Sequence, residues 1–152
     1  MSDLEKLRQW LSAYPGFDIA GEFLVDYTDR IPASAGLFPA GLKEIGRSTD
    51  ILGNVTVRNQ YNFSIYTVLE KSPGDNITAV GNAERVMNFQ SWVREQSAMG
   101  LAPAFGDPEC GKEIIRAEDG AVYSASEEGV AVYVIRISVL FGRRYEVWED
   151  SL

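Results

Sequence analysis

The sequence predicts an α+β fold of two layers, in which two helices pack on one face of a mostly antiparallel sheet. Three observations lead to this prediction. Residues 54–70 alternate between apolar and polar side chains, as a strand with one buried face does. Apolar side chains recur at helical spacing over about 3–14 and 82–96. Strand-like segments joined by short turns fill 113–141.

The first helix has clear start and stop signals. Ser2 and Glu5 form a capping box at its beginning, and Pro15-Gly16 ends it. A short strand is predicted over 22–27. Residues 29–41 contain two prolines and several small side chains, which indicates an irregular segment or a broken edge strand.

The strand over 54–70 is unusually long. Fully extended it spans roughly 50 Å, whereas a domain of this size is about 40 Å across. Residues 42–47 predict a shorter strand that pairs with it as a hairpin through the turn 48–53. The polar Asn59 interrupts the apolar phase, so we expect a core half, Tyr61 to Leu69, and a projecting half.

The projecting half is a candidate for contact between subunits. A strand that extends beyond its own domain can add to the sheet of a neighbour by edge pairing. The candidate interface arm comprises Val55, Thr56, Val57, Arg58, Asn59 and Gln60. The whole chain, 1–152, is interpreted as one domain, from which a hairpin around 42–60 could project.

The second helix is predicted to follow a loop over 71–81, with Asn82 as its N-cap. Gly100 ends the helix, and 101–112 is a proline- and glycine-rich connector.

Strands account for the C-terminal part. Residues 113–117 and 121–125 are predicted strands joined by a turn at 118–120, and a second turn at 126–129 leads into 130–141. The last segment is apolar on both phases, which is typical of a central strand buried on both faces.

The composition disfavours or excludes several classes of function. The net charge is −8 and no basic cluster is longer than Arg143-Arg144, so direct nucleic-acid binding is disfavoured. Histidine is absent, which excludes Ser-His-Asp and Cys-His hydrolases. The single Cys110 fits an intracellular protein. The sequence shows neither a signal peptide nor an apolar run of about 20 residues that would span a membrane.

Few residues are candidates for catalysis or metal binding. Asp26 and Asp29 could bind a metal or share a proton, but a solvated turn explains them better. Cys110 has no partner base and is interpreted as a bystander thiol. Trp10 and Trp92 fall on the helix stripes and are expected in the core. We therefore predict no catalytic residues, no cofactor and no metal site.

Several sequence segments of the chain resemble those of a known family. They are LEKLRQWLSAYP, EFLVDY, RNQYNFSIY, ERVMNFQSWVREQSAMGLAPAFGD and GAVYSASEEGVAVYVIRISVLF. In order and character they resemble the small minor-capsid or tail-terminator-like proteins of long-tailed phages and prophages of Gram-positive gut bacteria. The resemblance extends from about Leu4 to Phe141, and it fits least well over 33–53.

The resemblance implies a tail-terminator-like fold and a homo-oligomeric ring, typically a hexamer, at the end of the tail tube. The ring would stop polymerisation of the tube protein and offer a surface to head-completion or connector proteins. It implies no catalysis, no cofactor and no membrane. The protein would reside in the tail or neck of the virion, and in the host bacterial cytoplasm during assembly. DNA would only pass through, repelled by acidic lumen residues, for which the candidates are Asp119, Glu127 and Glu128.

Three other interpretations stay open. A neck or head-completion protein of the same virion is close to the first. A small intracellular ligand-binding module, with its ligand between helix and sheet, belongs to a different class. An enzyme that uses only carboxylates would need a deep polar pocket with raised carboxyl pKa values.

Overall fold

The computed structural model describes residues 2–14, 24–25, 35–70, 76–125 and 130–146, and these form an α+β fold, as the sequence predicts. The elements in chain order are α1 (Asp3–Leu11), β1 (Leu24–Val25), β2 (Ala35–Thr49), β3 (Val55–Glu70), α2 (Asn76–Ala98), a short 3-10 helix (Pro108–Cys110), β4 (Ile114–Ala125) and β5 (Val130–Tyr145).

The strands form one sheet in the order β1-β2-β3-β5-β4. The pairs β2–β3, β3–β5 and β4–β5 are antiparallel, while β1 runs parallel to β2 over two residues. Leu42 lies opposite Tyr61 and Arg47 lies opposite Val57, so the predicted hairpin is confirmed. Strand β5 lies between β3 and β4, which confirms its predicted central position.

The core lies on one face of this sheet. Alternate residues of β3 are buried, and so are alternate residues of β5 from Tyr133 to Phe141. Phe63 and Ile65 of β3 and the alternate residues of β5 form a single cluster with the apolar stripes of both helices. The members from the helices include Leu7, Leu11, Val86, Phe89 and Val93. Each fully buried side chain of this kind contributes about 1.5–3 kcal/mol, and this burial holds the two layers together.

The helices also contact each other. The Trp10 and Trp92 rings stack with centroids 5.0 Å apart. The indole N–H of Trp10 donates to Oε1 of Gln96 at 3.2 Å. At the start of α1, the Ser2 hydroxyl accepts the backbone N–H of Glu5 at 3.2 Å, which confirms the predicted cap. The tryptophans thus pack in or against the core, as expected.

Helix α2 begins earlier than predicted. It starts at Asn76, so the predicted loop 71–81 is wrong from residue 76 onward, and Asn82 lies inside the helix instead of capping it. A helical glycine costs only about 1 kcal/mol relative to alanine. Packing of the α2 stripe against the sheet therefore outweighs the break that Gly81 suggests.

Strand β4 is continuous where a turn was predicted. The pairing of β4 with β5 continues through residues 118–120, with a register shift between Asp119 and Ala121. Asp119 has a φ of 74°, in the left-handed region. A β-bulge and a tight turn both require such a residue, so the local sequence does not distinguish them.

Strand β2 is longer than the predicted strand over 42–47. It begins at Ala35, within the segment 29–41 that was expected to be irregular or a broken edge strand. Beyond Leu37 no strand among the described residues pairs with the outer side of β2, and a free edge is where a sheet accepts a proline such as Pro39. A register shift follows between Pro39 and Gly41. Of the predicted strand 22–27, the structure describes Leu24–Val25.

The connector, residues 101–113, covers the end of β5. Strand β4 begins opposite Leu140, so β5 continues beyond it. There the backbone N–H of Asp107 donates to the Gly142 carbonyl at 2.9 Å, and the Arg144 N–H donates to Oδ2 of Asp107 at 2.8 Å. Asp107 thereby takes the place of a strand partner on this edge.

One glutamate and one arginine fix the connector. The backbone N–H groups of Phe105 and Gly106 donate to the Glu113 carboxylate at 2.6 and 3.2 Å. The Arg143 guanidinium donates to the Phe105 carbonyl at 2.6 Å and reaches the Asp3 carboxylate at 3.5 Å. The Phe105 ring, only 3% exposed, completes the core at this end.

Candidate functional site

The turn between β2 and β3 is built around one aspartate. Oδ1 of Asp50 accepts the backbone N–H groups of Leu52 and Asn54 at 2.9 and 3.0 Å. The Asp50 N–H donates to the Asn54 carbonyl at 2.9 Å. Gly53 follows with a φ of 88°, a conformation that favours glycine. These bonds hold the backbone so that Ile51 and Leu52 point into solvent.

The contacts in this turn also lower the pKa of the Asp50 carboxyl. Desolvation raises the pKa of its carboxyl, but the hydrogen bonds from Asn54 and Leu52 and the nearby Arg144 lower it, and the net pKa lies below the ordinary value of 3.8. The Arg144 guanidinium lies 3.3 Å from Oδ2. The side-chain oxygen of Asn54 is buried without a hydrogen-bond partner.

This turn should therefore loosen in acid. A carboxyl with a depressed pKa contributes stability above its unfolded pKa, and that contribution disappears as the pH falls through the folded pKa. We expect the amide signals of Leu52 and Asn54 in NMR spectra to shift and broaden only below about pH 3.8. In the Asp50→Asn variant the side-chain oxygen still accepts the two backbone N–H groups, but it does not titrate. The amide signals of Leu52 and Asn54 in this variant should therefore be insensitive to acid. Equal acid sensitivity in both proteins would contradict this assignment.

Large apolar side chains are exposed at this end of the sheet. The exposed fractions are 59% for Leu42, 43% for Ile45, 101% for Ile51, 73% for Leu52 and 54% for Tyr145. Two of them, Leu42 and Tyr145, also line an open cleft of about 500 Å³ together with Val55, Val57 and Asn59. Grouped apolar exposure of this kind marks sites of protein–protein contact.

The predicted interface arm does not have a free edge. Residues 55–60 pair with β2 on one side and with β5 on the other: Val55 lies opposite Thr49 and Tyr145, and Gln60 lies opposite Lys43 and Leu140. Edge pairing of Val55 to Gln60 with a neighbour is therefore wrong. The physical reason is that β5 and β2 run as far as β3 does, so three strands share the excess length. Asn59 is buried within a continuous strand, and the β3 members of the core cluster, Tyr61, Phe63 and Ile65, all lie on one side of it.

The free edges lie elsewhere. Beyond Leu37, the outer edge of β2 has no strand partner among the described residues. The outer edge of β4 likewise pairs with no strand in the part of the chain that the structure describes.

Of the predicted acidic residues, the structure describes Asp119. It is exposed at the β4 bulge, and its carboxylate lies 3.5 Å from the guanidinium of Arg136, which also reaches Glu118 at 3.4 Å. Glu127 and Glu128 lie outside the described residues, as do Asp26 and Asp29.

A second candidate surface is the groove between α2 and β4, with a volume of about 580 Å³. Its apolar lining includes Met87, Ala98 and Ile114, and the Ile115 N–H at its base donates to the Ser97 hydroxyl at 3.0 Å. Three cations and one carboxylate also line it: Arg94, Lys112, Arg116 and Glu118. The groove is thus locally positive on a chain whose net charge is −8.

The sequence interpretation named no residue of either surface as a contact site, although one open alternative placed a ligand between helix and sheet. The adjacent apolar residues Ile51 and Leu52 inside a predicted turn were the available signal for the first. The groove depends on where α2 lies over β4, which no local pattern encodes.

Reactive groups are sparse in the described part of the chain. Desolvation raises the pKa of the Cys110 thiol, and the carboxylates of Asp107 and Glu109 raise it further, so the thiol stays protonated near neutral pH. Among the described residues, no three His, Cys, Asp or Glu side chains are placed to hold a metal ion. No described helix has the length and apolar character needed to cross a membrane.

Comparison with known proteins gives no family assignment. No protein-family model matches the chain, and no match is found among the curated proteins.

Proposed function

We propose that the chain is a phage or prophage assembly protein that caps the tail tube as a ring, ends tube polymerisation and offers a surface to head-completion proteins. The observation that carries the proposal is the exposed apolar end of the β2–β3 hairpin, together with the sequence resemblance described above. Ring membership, most simply as a hexamer, follows from the resemblance, and the virion tail or neck is the proposed location.

The apolar end is suited to an assembly contact for two reasons. Each large apolar side chain that leaves water on binding contributes up to about 1.5–3 kcal/mol. The turn is also held by four backbone hydrogen bonds, two of them to the carboxylate of Asp50. A surface that is already ordered loses little conformational entropy when a partner binds.

The contact that we propose differs from the predicted arm. Ile51, Leu52 and their exposed neighbours take its place, because the edges of residues 55–60 are occupied. The acidic lumen of Asp119, Glu127 and Glu128 stays part of the proposal. At Asp119 the repulsion of DNA would be reduced by the neighbouring Arg136.

The proposal is tested by mixing the purified protein with tail tubes and imaging them by negative-stain electron microscopy. We expect density at one end of each tube and no further growth from that end. The double variant Ile51→Asp, Leu52→Asp should leave tube ends bare. The matched control Leu101→Asp, at a side chain 57% exposed, should cap like the wild type. Binding along the tube wall, or no binding by the wild type, would overturn the proposal.

A second candidate function rests on the groove between α2 and β4. Its volume of about 580 Å³ is within the range of small-molecule sites, roughly 300–1,000 Å³. It lies between helix and sheet, where the alternative ligand-binding module would hold its ligand. The three cations in its lining would favour a small anionic ligand.

A further inference from the structure

We propose that the groove between α2 and β4 binds an extended acidic peptide segment of another protein, which adds as a strand to the outer edge of β4. Strand addition of this kind takes its affinity from main-chain hydrogen bonds and its specificity from alternate side chains. The site is separate from the hairpin tip at Ile51 and Leu52, so the proposed tail-capping role neither requires nor excludes it.

The groove lies along the edge of β4 and not over either face of the strand. The consecutive strand residues 114–118 all line it. Since successive side chains of a strand point to opposite faces, a cavity over one face would contact only every second residue. Strand β4 also stands at the end of the described sheet, with β5 on its inner side. The groove therefore gives access to the backbone of the strand.

Helix α2 forms the opposite wall of the groove. Its lining residues recur at three- and four-residue spacing and share one stripe, which comprises Met87, Gln90, Ser91, Arg94, Ser97 and Ala98. Met87 is 63% exposed, and Ala98 is exposed as well. An extended chain beside β4 would bury these apolar side chains against its own.

The outer edge of β4 has open backbone groups for such a strand. The Ile115 N–H donates to the Ser97 hydroxyl at 3.0 Å, so the backbone of residue 115 faces away from β5. In an antiparallel ladder this direction alternates, and Ala117 therefore also faces outward. No strand or side chain among the described residues pairs with the Ile115 carbonyl or with the Ala117 backbone groups on this side. Ser97 thus closes one end of the edge, and the adjacent groups stay open to a partner.

The charges of the groove favour an acidic segment. Arg94, Lys112 and Arg116 line it, and among the described residues none of them forms an ion pair with a carboxylate. The lining carboxylate, Glu118, is engaged by Arg136 at 3.4 Å. In a chain of net charge −8, the groove is a local region that attracts acidic side chains.

The alternation of β4 predicts the pattern of the partner. Ile115 and Ala117 lie on the core side of the sheet, so Arg116 lies on the opposite face. Added side chains on that face should be acidic, because opposite charges on neighbouring strands form favourable pairs. Those that face α2 should be aliphatic, against Met87 and Ala98. The expected occupant therefore alternates acidic and aliphatic residues.

The test uses a fluorescein-labelled peptide of about eight residues in which valine and glutamate alternate. Its fluorescence polarisation should rise saturably with the wild-type protein, and raising NaCl from about 0.05 to 0.5 M should weaken the binding. A peptide with lysine in place of glutamate should not bind. Arg116→Glu should weaken the affinity at least about 10-fold, because it places like charges opposite each other. The matched control Lys43→Glu, an equal charge change at an exposed position of β2, should bind like the wild type.

N-methylated peptides separate strand addition from simple charge attraction. Two further peptides carry N-methyl groups on every second amide, one in each phase. In an added strand one set of amides faces β4 and the other faces solvent, so one peptide should lose binding and the other should retain it. This comparison leaves the protein unchanged and does not depend on the folding of a variant.

Four results would overturn the proposal. The first is no saturable binding of the valine–glutamate peptide up to about 1 mM. The second is equal binding of the lysine peptide or equal effects of both methylation patterns. The third is dodecanoate that binds through Arg116 while the peptide does not, which would assign the groove to the small anionic ligand of the second candidate function. The fourth is self-association that Arg116→Glu abolishes, which would assign the edge of β4 to a second copy. Capping of tube ends is tested separately at Ile51 and Leu52, so either result can fail without the other.

Discussion

Replacing Gly106 with alanine is expected to destabilise the protein by about 3 kcal/mol, at the upper end of over-packing penalties. A Cβ built at Gly106 collides with the backbone carbonyl oxygen of Gly142 and comes within 3.1 Å of the Phe141 ring. The obstacle is backbone, which cannot rotate away as a side chain does. Urea denaturation followed by tryptophan fluorescence should show a lower midpoint with an unchanged slope.

Gly81→Ala is the matched control for this prediction. Gly81 is exposed in the interior of α2, and a Cβ built there meets nothing within 4 Å. Alanine should stabilise the helix by about 0.5–1 kcal/mol, so the two identical substitutions are expected to have opposite signs. A Gly106→Ala protein with the wild-type midpoint would mean that the connector does not lie against β5 as described.

The elements with long hydrophobic periods are the ones that the sequence predicts well. The alternation of β3 identifies its buried face, and the apolar run of β5 identifies a central strand. Short turn-forming sequences predict the structure less reliably. The pair Asp119-Gly120 meets the requirement of a turn or of a bulge, and the choice between them is made by β5, which offers partners along the whole length of β4.

The candidate site depended even more on tertiary structure. The length of β3 suggested an interface arm because a single extended strand of that length exceeds the diameter of the domain. Strand β5, which was predicted to end near Phe141, continues to Tyr145, and β2 extends opposite it to Thr49. The projecting element is therefore a three-stranded end, and its exposed surface is the turn.

The connector determines which edges remain available for assembly. Asp107 occupies the backbone groups of β5 beyond the start of β4, and Arg143 ties the same segment to α1. The described sheet is left with unpaired outer edges on β2 and β4. The exposed apolar turn lies at the end of β2, and the positive groove lies along β4.

Truncating Phe89 is expected to cost about 3–5 kcal/mol, the usual range for a buried phenylalanine changed to alanine. The side chain is fully buried, and its ring contacts Tyr14 edge-on at 5.2 Å and Trp92 at 6.3 Å between centroids. The cavity would loosen the packing between α1 and α2. The thermal midpoint and the near-UV circular dichroism of the tryptophans should therefore both fall.

The adjacent Asn88→Ala is the control, because Asn88 is exposed on the same helix and its loss should change stability by less than about 0.5 kcal/mol. A Phe89→Ala protein with the wild-type thermal midpoint would show that this ring does not hold α2 in the core as described.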